Sequence, residues 1–173
     1  MSPDLASRIR EAALLEGDFV LSSGQRSSIY VDKYLFSTEP DLLRDVAAAL
    51  SRELPDGVER LAGVELGAVP LVVATALVTG LPYVIVRKSA KRYGTGRGME
   101  GNLERGERLA LIEDVVTTGM QAVQAARSLV EAGAEVVTIV AVLDRREVPE
   151  ERLEEFPFVA LLRMNDLRVS KED

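Results

Sequence analysis

The chain has 173 residues, 47% of them hydrophobic, which suits one globular domain with a real core. It contains no Cys and no His, which excludes disulfides, thiol nucleophiles, imidazole acid–base chemistry and the usual transition-metal ligands, so any metal should be a hard ion on oxygen such as Mg2+. The net charge of −7 argues against general nucleic-acid binding, and no leader or run of about 18 apolar residues points to a membrane, so a cytoplasmic protein is expected.

Residues 3–15 have helical spacing, with Leu5, Ile9, Ala12 and Ala13 on one stripe, and Gly17 is expected to stop that helix. Phe19–Leu21 and Ile29–Val31 flank a turn-rich loop and read as a hairpin. A helix is predicted over 39–54, opening at Thr38 or Glu39 with Pro40 in its first turn. Then follow a short strand at 61–64, a loop at 65–68, a helix at 69–79 ending on Gly80, and a strand at 83–86. Residues 87–102 are poor in apolar side chains. A strand at 108–113 leads through Asp114–Gly119 into a helix at 119–131, and strands at 136–143 and 159–162 complete the chain. Strands alternating with helices imply βαβ units and a doubly wound, mostly parallel α/β sheet. Ligands of such sheets bind outside the carboxyl ends of the strands, where loops 65–68, 87–102, 114–119 and 144–147 would gather.

Two stretches carry chemistry. In residues 109–121 an apolar run meets Glu113 and Asp114, then Val115, Val116, Thr117, Thr118, Gly119, Met120 and Gln121. A hydroxyl-rich loop opening a helix presents free N–H groups and a positive dipole end, which suits a phosphate, while the carboxylates suit sugar hydroxyls or a metal-bound group. A plain βα turn with a Thr N-cap would explain the same stretch. The second stretch is residues 87–97, where five of eleven residues are cationic and none acidic, on an otherwise acidic chain. Its glycines and low apolar content suggest a mobile flap for an anionic ligand. Gly96-x-Gly98-x-x-Gly101 imitates a dinucleotide fingerprint, but too few residues separate it from the next strand for the helix that fingerprint must open.

Together these residues resemble a type I phosphoribosyltransferase, and among them the orotate phosphoribosyltransferases. The 109–121 stretch resembles the family's phosphoribosyl-pyrophosphate (PRPP) signature. Arg87-Lys88-x-x-Lys91-x-Tyr93-Gly94 resembles the orotate enzymes' catalytic flap. Phe19–Gly24 with Ser28–Asp32 resembles their orotate-side hairpin, and Leu143–Glu147 their Leu-Asp-Arg segment. The resemblance implies a single phosphoribosyltransferase domain over 1–173, with a small hood from about 1–36 plus the C-terminal segment, a core at about 37–162, and the flap at 87–102. It implies transfer of the phosphoribosyl group from PRPP to orotate in pyrimidine (UMP) biosynthesis. Mg2+ would be held mainly by PRPP rather than directly by the protein, and in a homodimer the flap would be shared across subunits. No nucleic-acid or membrane partner is implied.

By the same resemblance, Glu113 and Asp114 would hold the ribose hydroxyls. Backbone groups from Val115 to Gln121 (Val116, Gly119 and Met120 among them), with the Thr117 and Thr118 hydroxyls, would hold the 5′-phosphate. Arg87, Lys88 and Lys91 would neutralise the pyrophosphate, with Tyr93 beside them in the flap. Lys91, Lys88 and Asp114 are the catalytic candidates, Lys91 foremost. Arg145 and Thr117 would contact orotate, and Tyr30 would cover the pyrimidine. The sequence departs from the better-known pattern at Ser22 and Gly67, where many or some members carry Lys; at Tyr93, which replaces a flap His; and at Met120, usually a small residue. The first two remove cations that would touch PRPP. A final family helix is expected to be truncated or frayed after Asn165. A phosphoribosyltransferase for another base would share the PRPP stretch but not the flap. A PRPP-sensing regulator would need a DNA-binding module or basic face, and the only basic cluster is the flap.

Overall fold

The computed structural model describes residues 4–20, 24, 26–88 and 98–167. Asp4 caps the first helix, α1 (Leu5–Ala13), by accepting from the Ser7 N–H at 2.7 Å. β1 (Leu14–Val20) and β2 (Arg26–Val31) pair antiparallel as a separate two-stranded sheet, so the expected hairpin is present and longer than expected. Gly17 does not stop the helix. The helix has ended at Ala13, and Gly17 lies inside β1, where the pairing shifts register between Glu16 and Phe19. A Cβ there would stand 3.1 Å from the Phe19 ring, so the glycine makes room for that ring over a bulged strand.

α2 (Lys33–Thr38) was not expected. It is too short for periodicity to show, and it exists because Asp32 caps it, accepting from the Tyr34 N–H at 3.0 Å, while Phe36 is fully buried. Glu39 ends α2 and opens α3 (Pro40–Arg52), with the proline in the first turn as predicted. The remaining elements are β3 (Arg60–Val64), α4 (Val69–Thr79), β4 (Tyr83–Val86), β5 (Met99–Glu100), β6 (Arg108–Val116), α5 (Met120–Glu131), β7 (Glu135–Asp144), β8 (Arg152–Leu153), β9 (Phe156–Arg163) and α6 (Met164–Leu167).

The main sheet has the order β5-β4-β3-β6-β7-β9-β8. Its four central pairings are parallel and its two edge pairings antiparallel, which is the expected doubly wound α/β class. The central strands read as unbroken apolar runs because helices cover both faces. On one face α5 packs Ala122, Ala125, Ala126 and Leu129 against Leu109, Leu111 and Ile139. On the other, α1, α3 and α4 pack Ile9, Val46, Leu50, Leu71 and Val72 against Ala110, Ile112 and Val140. Leu167 of α6 joins this second cluster, so the chain stays packed past Asn165.

Two boundaries differ from expectation with consequences, and two short strands were not expected. β6 runs to Val116, past the predicted end at 113, so both acids lie inside the strand. β9 starts at Phe156, before the predicted 159, and β5 and β8 are two-residue edge strands that carry no periodic signal. Gly98 and Gly101 flank β5, so no helix opens at the dinucleotide-like sequence. Among the described residues no helix is long and apolar enough to cross a membrane.

Candidate functional site

The chain goes from β3 to β4 on one side and then returns to place β6 on the other side of β3. This reversal opens a crevice at the carboxyl ends of β3 and β6, the place where such sheets bind ligands. A cavity of about 810 Å³ lies there. Tyr30, Lys88, Glu113, Val115, Val116, Thr117, Thr118, Gly119, Met120, Gln121 and Arg145 all line it. They come from β2, the foot of the flap, β6, α5 and the turn after β7, so the fold brings together most of the predicted site.

The start of α5 carries no side-chain cap, and Gly119 occupies the cap position with φ 82°. Thr118 Oγ1 accepts from the Met120 N–H only at 3.4 Å, so the Thr-cap reading of this turn does not hold. The first-turn N–H groups of α5 therefore keep their capacity to bind an anion. Glycine is required at 119 by its left-handed conformation and because a Cβ would stand 2.5 Å from Leu153. Met120, the residue least expected from the sequence, is 70% exposed on the cavity rim.

Because both acids lie within β6, they point to opposite faces. Glu113 follows Leu109 and Leu111 towards the α5 side and lines the cavity. Asp114 follows Ala110 and Ile112 towards α2 and α4. It is 4% exposed, accepts from the Val115 N–H at 2.6 Å, and pairs with Lys33 Nζ at 2.7 Å. Burial raises the Glu113 pKa to about 8, and the charge of Asp114 adds to the rise, while Lys33 and Lys88 oppose it. Burial alone would lower the Lys33 pKa, but its hydrogen bond to Asp114 and the charge there outweigh that and raise it. At neutral pH the site thus holds a protonated Glu113 beside an ion pair.

Lys33 was not among the predicted site residues, yet it lines the cavity. The signal was its place one residue beyond the Ser28–Asp32 hairpin motif, in a chain lacking cations at 22 and 67. Gly67 is packed tightly: a Cβ there would overlap Asp114 Oδ2 and stand 3.1 Å from Lys33 Nζ.

The two arginines after β7 separate into different tasks. Arg146 grips Asp144 through Nε at 3.0 Å and Nη2 at 2.8 Å, donates to the Glu150 and Arg152 carbonyls, and lies 4.6 Å over the Phe158 ring. It fixes the turn and leaves Arg145 to the cavity. Arg87 sits outside the cavity wall. It faces Glu100 at 3.5 Å and Glu65 at 3.8 Å, and Glu65 also accepts from the Lys88 N–H at 2.8 Å, so the foot of the flap is tied to loop 65–68. Arg87 and Lys88 line a neighbouring cavity of about 350 Å³ against α5. Lys91 and Tyr93 of the flap, and Ser22, lie outside the described residues. Among the described residues no three His, Cys, Asp or Glu side chains converge on one point. Glu113 and Asp114, on opposite faces of β6, do not converge on one point either.

The acidic end of β6, the uncapped start of α5 and Lys88 at the foot of the basic loop meet at one sheet edge. Residues 38–163 match the phosphoribosyl transferase domain, and the fold is that of the type I phosphoribosyltransferases. Over 153 residues the chain is 48% identical to an orotate phosphoribosyltransferase of Natronomonas pharaonis, covering 88% of this chain and 87% of that one. It is 44% identical to the Haloquadratum walsbyi orotate phosphoribosyltransferase over 98% of this chain and 94% of that one. The crystal structure of the orotate phosphoribosyltransferase from Aeropyrum pernix superimposes with a TM-score of 0.82 at 28% identity, over 95% of this chain and 96% of that one. The chain belongs to the orotate phosphoribosyltransferase family.

Proposed function

We propose that this chain transfers the 5-phosphoribosyl group of PRPP to orotate, giving orotidine 5′-monophosphate and pyrophosphate, a step of pyrimidine (UMP) synthesis in the cytoplasm. The observation that carries the reading is one cavity lined by an uncapped helix start, a buried acid and Arg145. In this reading the first-turn amides of α5, with the Thr117 and Thr118 hydroxyls, take the 5′-phosphate. Glu113 and Asp114 take the ribose hydroxyls from the two sides of β6. A protonated Glu113 donates to a hydroxyl oxygen without adding a second negative charge. Arg145 pairs with the orotate carboxylate, Thr117 adds a hydroxyl contact, and Tyr30, which packs 5.5 Å from Phe19, covers the pyrimidine.

Displacement of pyrophosphate develops positive charge on the sugar ring and negative charge on the leaving group. Lys88, with Arg87, Lys91 and Tyr93 of the flap, meets the leaving group's charge, and closure of the flap excludes water. Orotate is already an anion, so its ring nitrogen needs little help from a base, and a site without His suffices. Bound Mg2+ would add Lewis-acid polarisation and a template, held mainly by PRPP.

A homodimer with the flap shared between subunits belongs to the same reading. It is supported by α4, which is apolar on its outer side too: Leu77 is 83% exposed and Val78 49%, with Leu66 at 66% just before the helix. A second copy of the chain would cover that patch. The β1–β2 hairpin with α1, α2 and α6 serves as the hood over a core of about 37–162. The test is direct. Mixing the protein with orotate, PRPP and Mg2+ should deplete the orotate absorbance. Absence of depletion, with turnover of a purine base instead, would overturn the assignment.

A further inference from the structure

Position 67, where some members carry Lys, is a glycine here, and the Lys33 ammonium lies beside it. We propose that Lys33 is a PRPP-binding residue, supplying from α2 the positive charge for the pyrophosphate that loop 65–68 does not carry; this rests on the phosphoribosyl-transfer reading above. Lys33 is the first residue of α2, and the Asp32 cap fixes the start of that helix. Its ammonium stands 2.7 Å from Asp114 Oδ2. It also stands 3.1 Å from where a Cβ of residue 67 would begin, while that same Cβ would overlap Asp114 Oδ2. A side chain at 67 and the Lys33–Asp114 pair thus compete for one volume. Gly67 cedes that volume to the lysine.

A lysine present only to neutralise a buried acid would be closed off with it. Lys33 is not: Asp114 is 5% exposed at its side chain, but Lys33 is 34% exposed and lines the large cavity with Glu113, Thr117 and Arg145. An ammonium has three N–H donors, and Asp114 needs one. The others are left for the cavity that Lys33 lines. The Tyr34 ring, 5.7 Å from Nζ, flanks the ammonium without blocking it. Lys33 therefore serves two anions: it holds Asp114 in the ribose-binding position and offers its remaining donors to a pyrophosphate oxygen.

The test compares wild type with Lys33→Met and Lys33→Gln. Three quantities are read: the KM values for PRPP and orotate, the affinity for pyrophosphate with Mg2+ by titration calorimetry, and the thermal midpoint. Loss of one charge-assisted contact should raise the PRPP KM and the pyrophosphate Kd about ten- to a hundredfold, with the orotate KM unchanged. If PRPP and pyrophosphate bind both variants as they bind wild type, Lys33 is a structural partner of Asp114 and the proposal fails, whatever happens to the midpoint. Should Lys33→Met not fold, Lys33→Gln, which keeps an N–H for Asp114 but no charge, carries the comparison. A wild type inert towards orotate would sink the functional reading, while pyrophosphate calorimetry on the same proteins would still judge Lys33.

Discussion

Replacing Glu113 by glutamine should remove a pH dependence expected of the wild-type chain across neutral pH. Burial, then the charge of Asp114, lifts the Glu113 pKa from 4.5 to about 8. Between those values the folded chain keeps a proton that the unfolded chain has lost. The contribution to stability is therefore complete below pH 4.5 and drains away as pH rises towards 8. The slope for one proton is about 1.4 kcal/mol per pH unit, which in a domain of this size moves the thermal midpoint by about 3–5 °C per unit. The window is unusually clean because the chain has no His to titrate within it. Glu107, which its hydrogen bonds to Arg60 hold below the usual carboxylate range, loses its contribution only in acid, outside this window. A glutamine amide at this position keeps the shape of the side chain and is neutral throughout. Thermal melts from pH 5 to 8 should show the wild-type midpoint falling relative to that of Glu113→Gln. Parallel curves would mean that Glu113 is ionised in the folded chain, and the picture of a neutral acid beside the Lys33–Asp114 pair would be wrong.

Four further outcomes are expected. Gly67→Ala should raise the PRPP KM and cost about 1–3 kcal/mol, because the added methyl displaces Asp114 and Lys33; kinetics and melts read both. Arg60→Ala should lower stability by about 3 kcal/mol in denaturant titrations and leave both KM values alone, since it strands Glu107, gripped at 2.8 Å by two guanidinium nitrogens away from the cavity. Lys91→Ala should abolish turnover with the circular dichroism spectrum unchanged; an unfolded variant would make Lys91 structural. Leu77→Glu should convert a dimer into a folded monomer in light scattering, and a wild type already monomeric would remove the dimer from the functional reading.

The central architecture was legible because it rests on local pattern. Buried runs such as Leu61–Val64 and Val136–Leu143 have no polar face, and only a sheet covered on both sides accommodates them. What escaped was decided by distant contacts. Gly17 reads as a helix stop in any window, yet Phe19 and the β2 partner strand make it part of a strand. α2 depends on a cap and one buried phenylalanine, too little for a periodic signal. Glu113 and residues 115–121 of the site stretch line the cavity, but ending the strand at 113 hid that Glu113 and Asp114 face opposite ways. Arg145 and Arg146 are adjacent and chemically alike. Asp144, Phe158 and the Glu150 and Arg152 carbonyls, which claim Arg146, tell them apart.

The same logic explains why Lys33 went unseen and why Gly67 looked like a loss. Read position by position, a glycine in place of lysine in loop 65–68 subtracts a charge from the PRPP site. On the Lys33 proposal the relevant quantity is the charge in a volume and not the residue at a position. Asp114 anchors that volume, and both the first turn of α2 and loop 65–68 border it. A Cβ at 67 would overlap Asp114 Oδ2 and stand 3.1 Å from Lys33 Nζ, so a side chain from the loop and the lysine from α2 crowd one volume. An ammonium from α2 stands on a capped helix start, whereas a lysine at 67 would stand in a loop. The α2 route brings the cation already paired and oriented, so less ordering remains when a diphosphate binds. Gly67 and Lys33 are thus one feature written at two places in the sequence, and changing either alone should damage the same step.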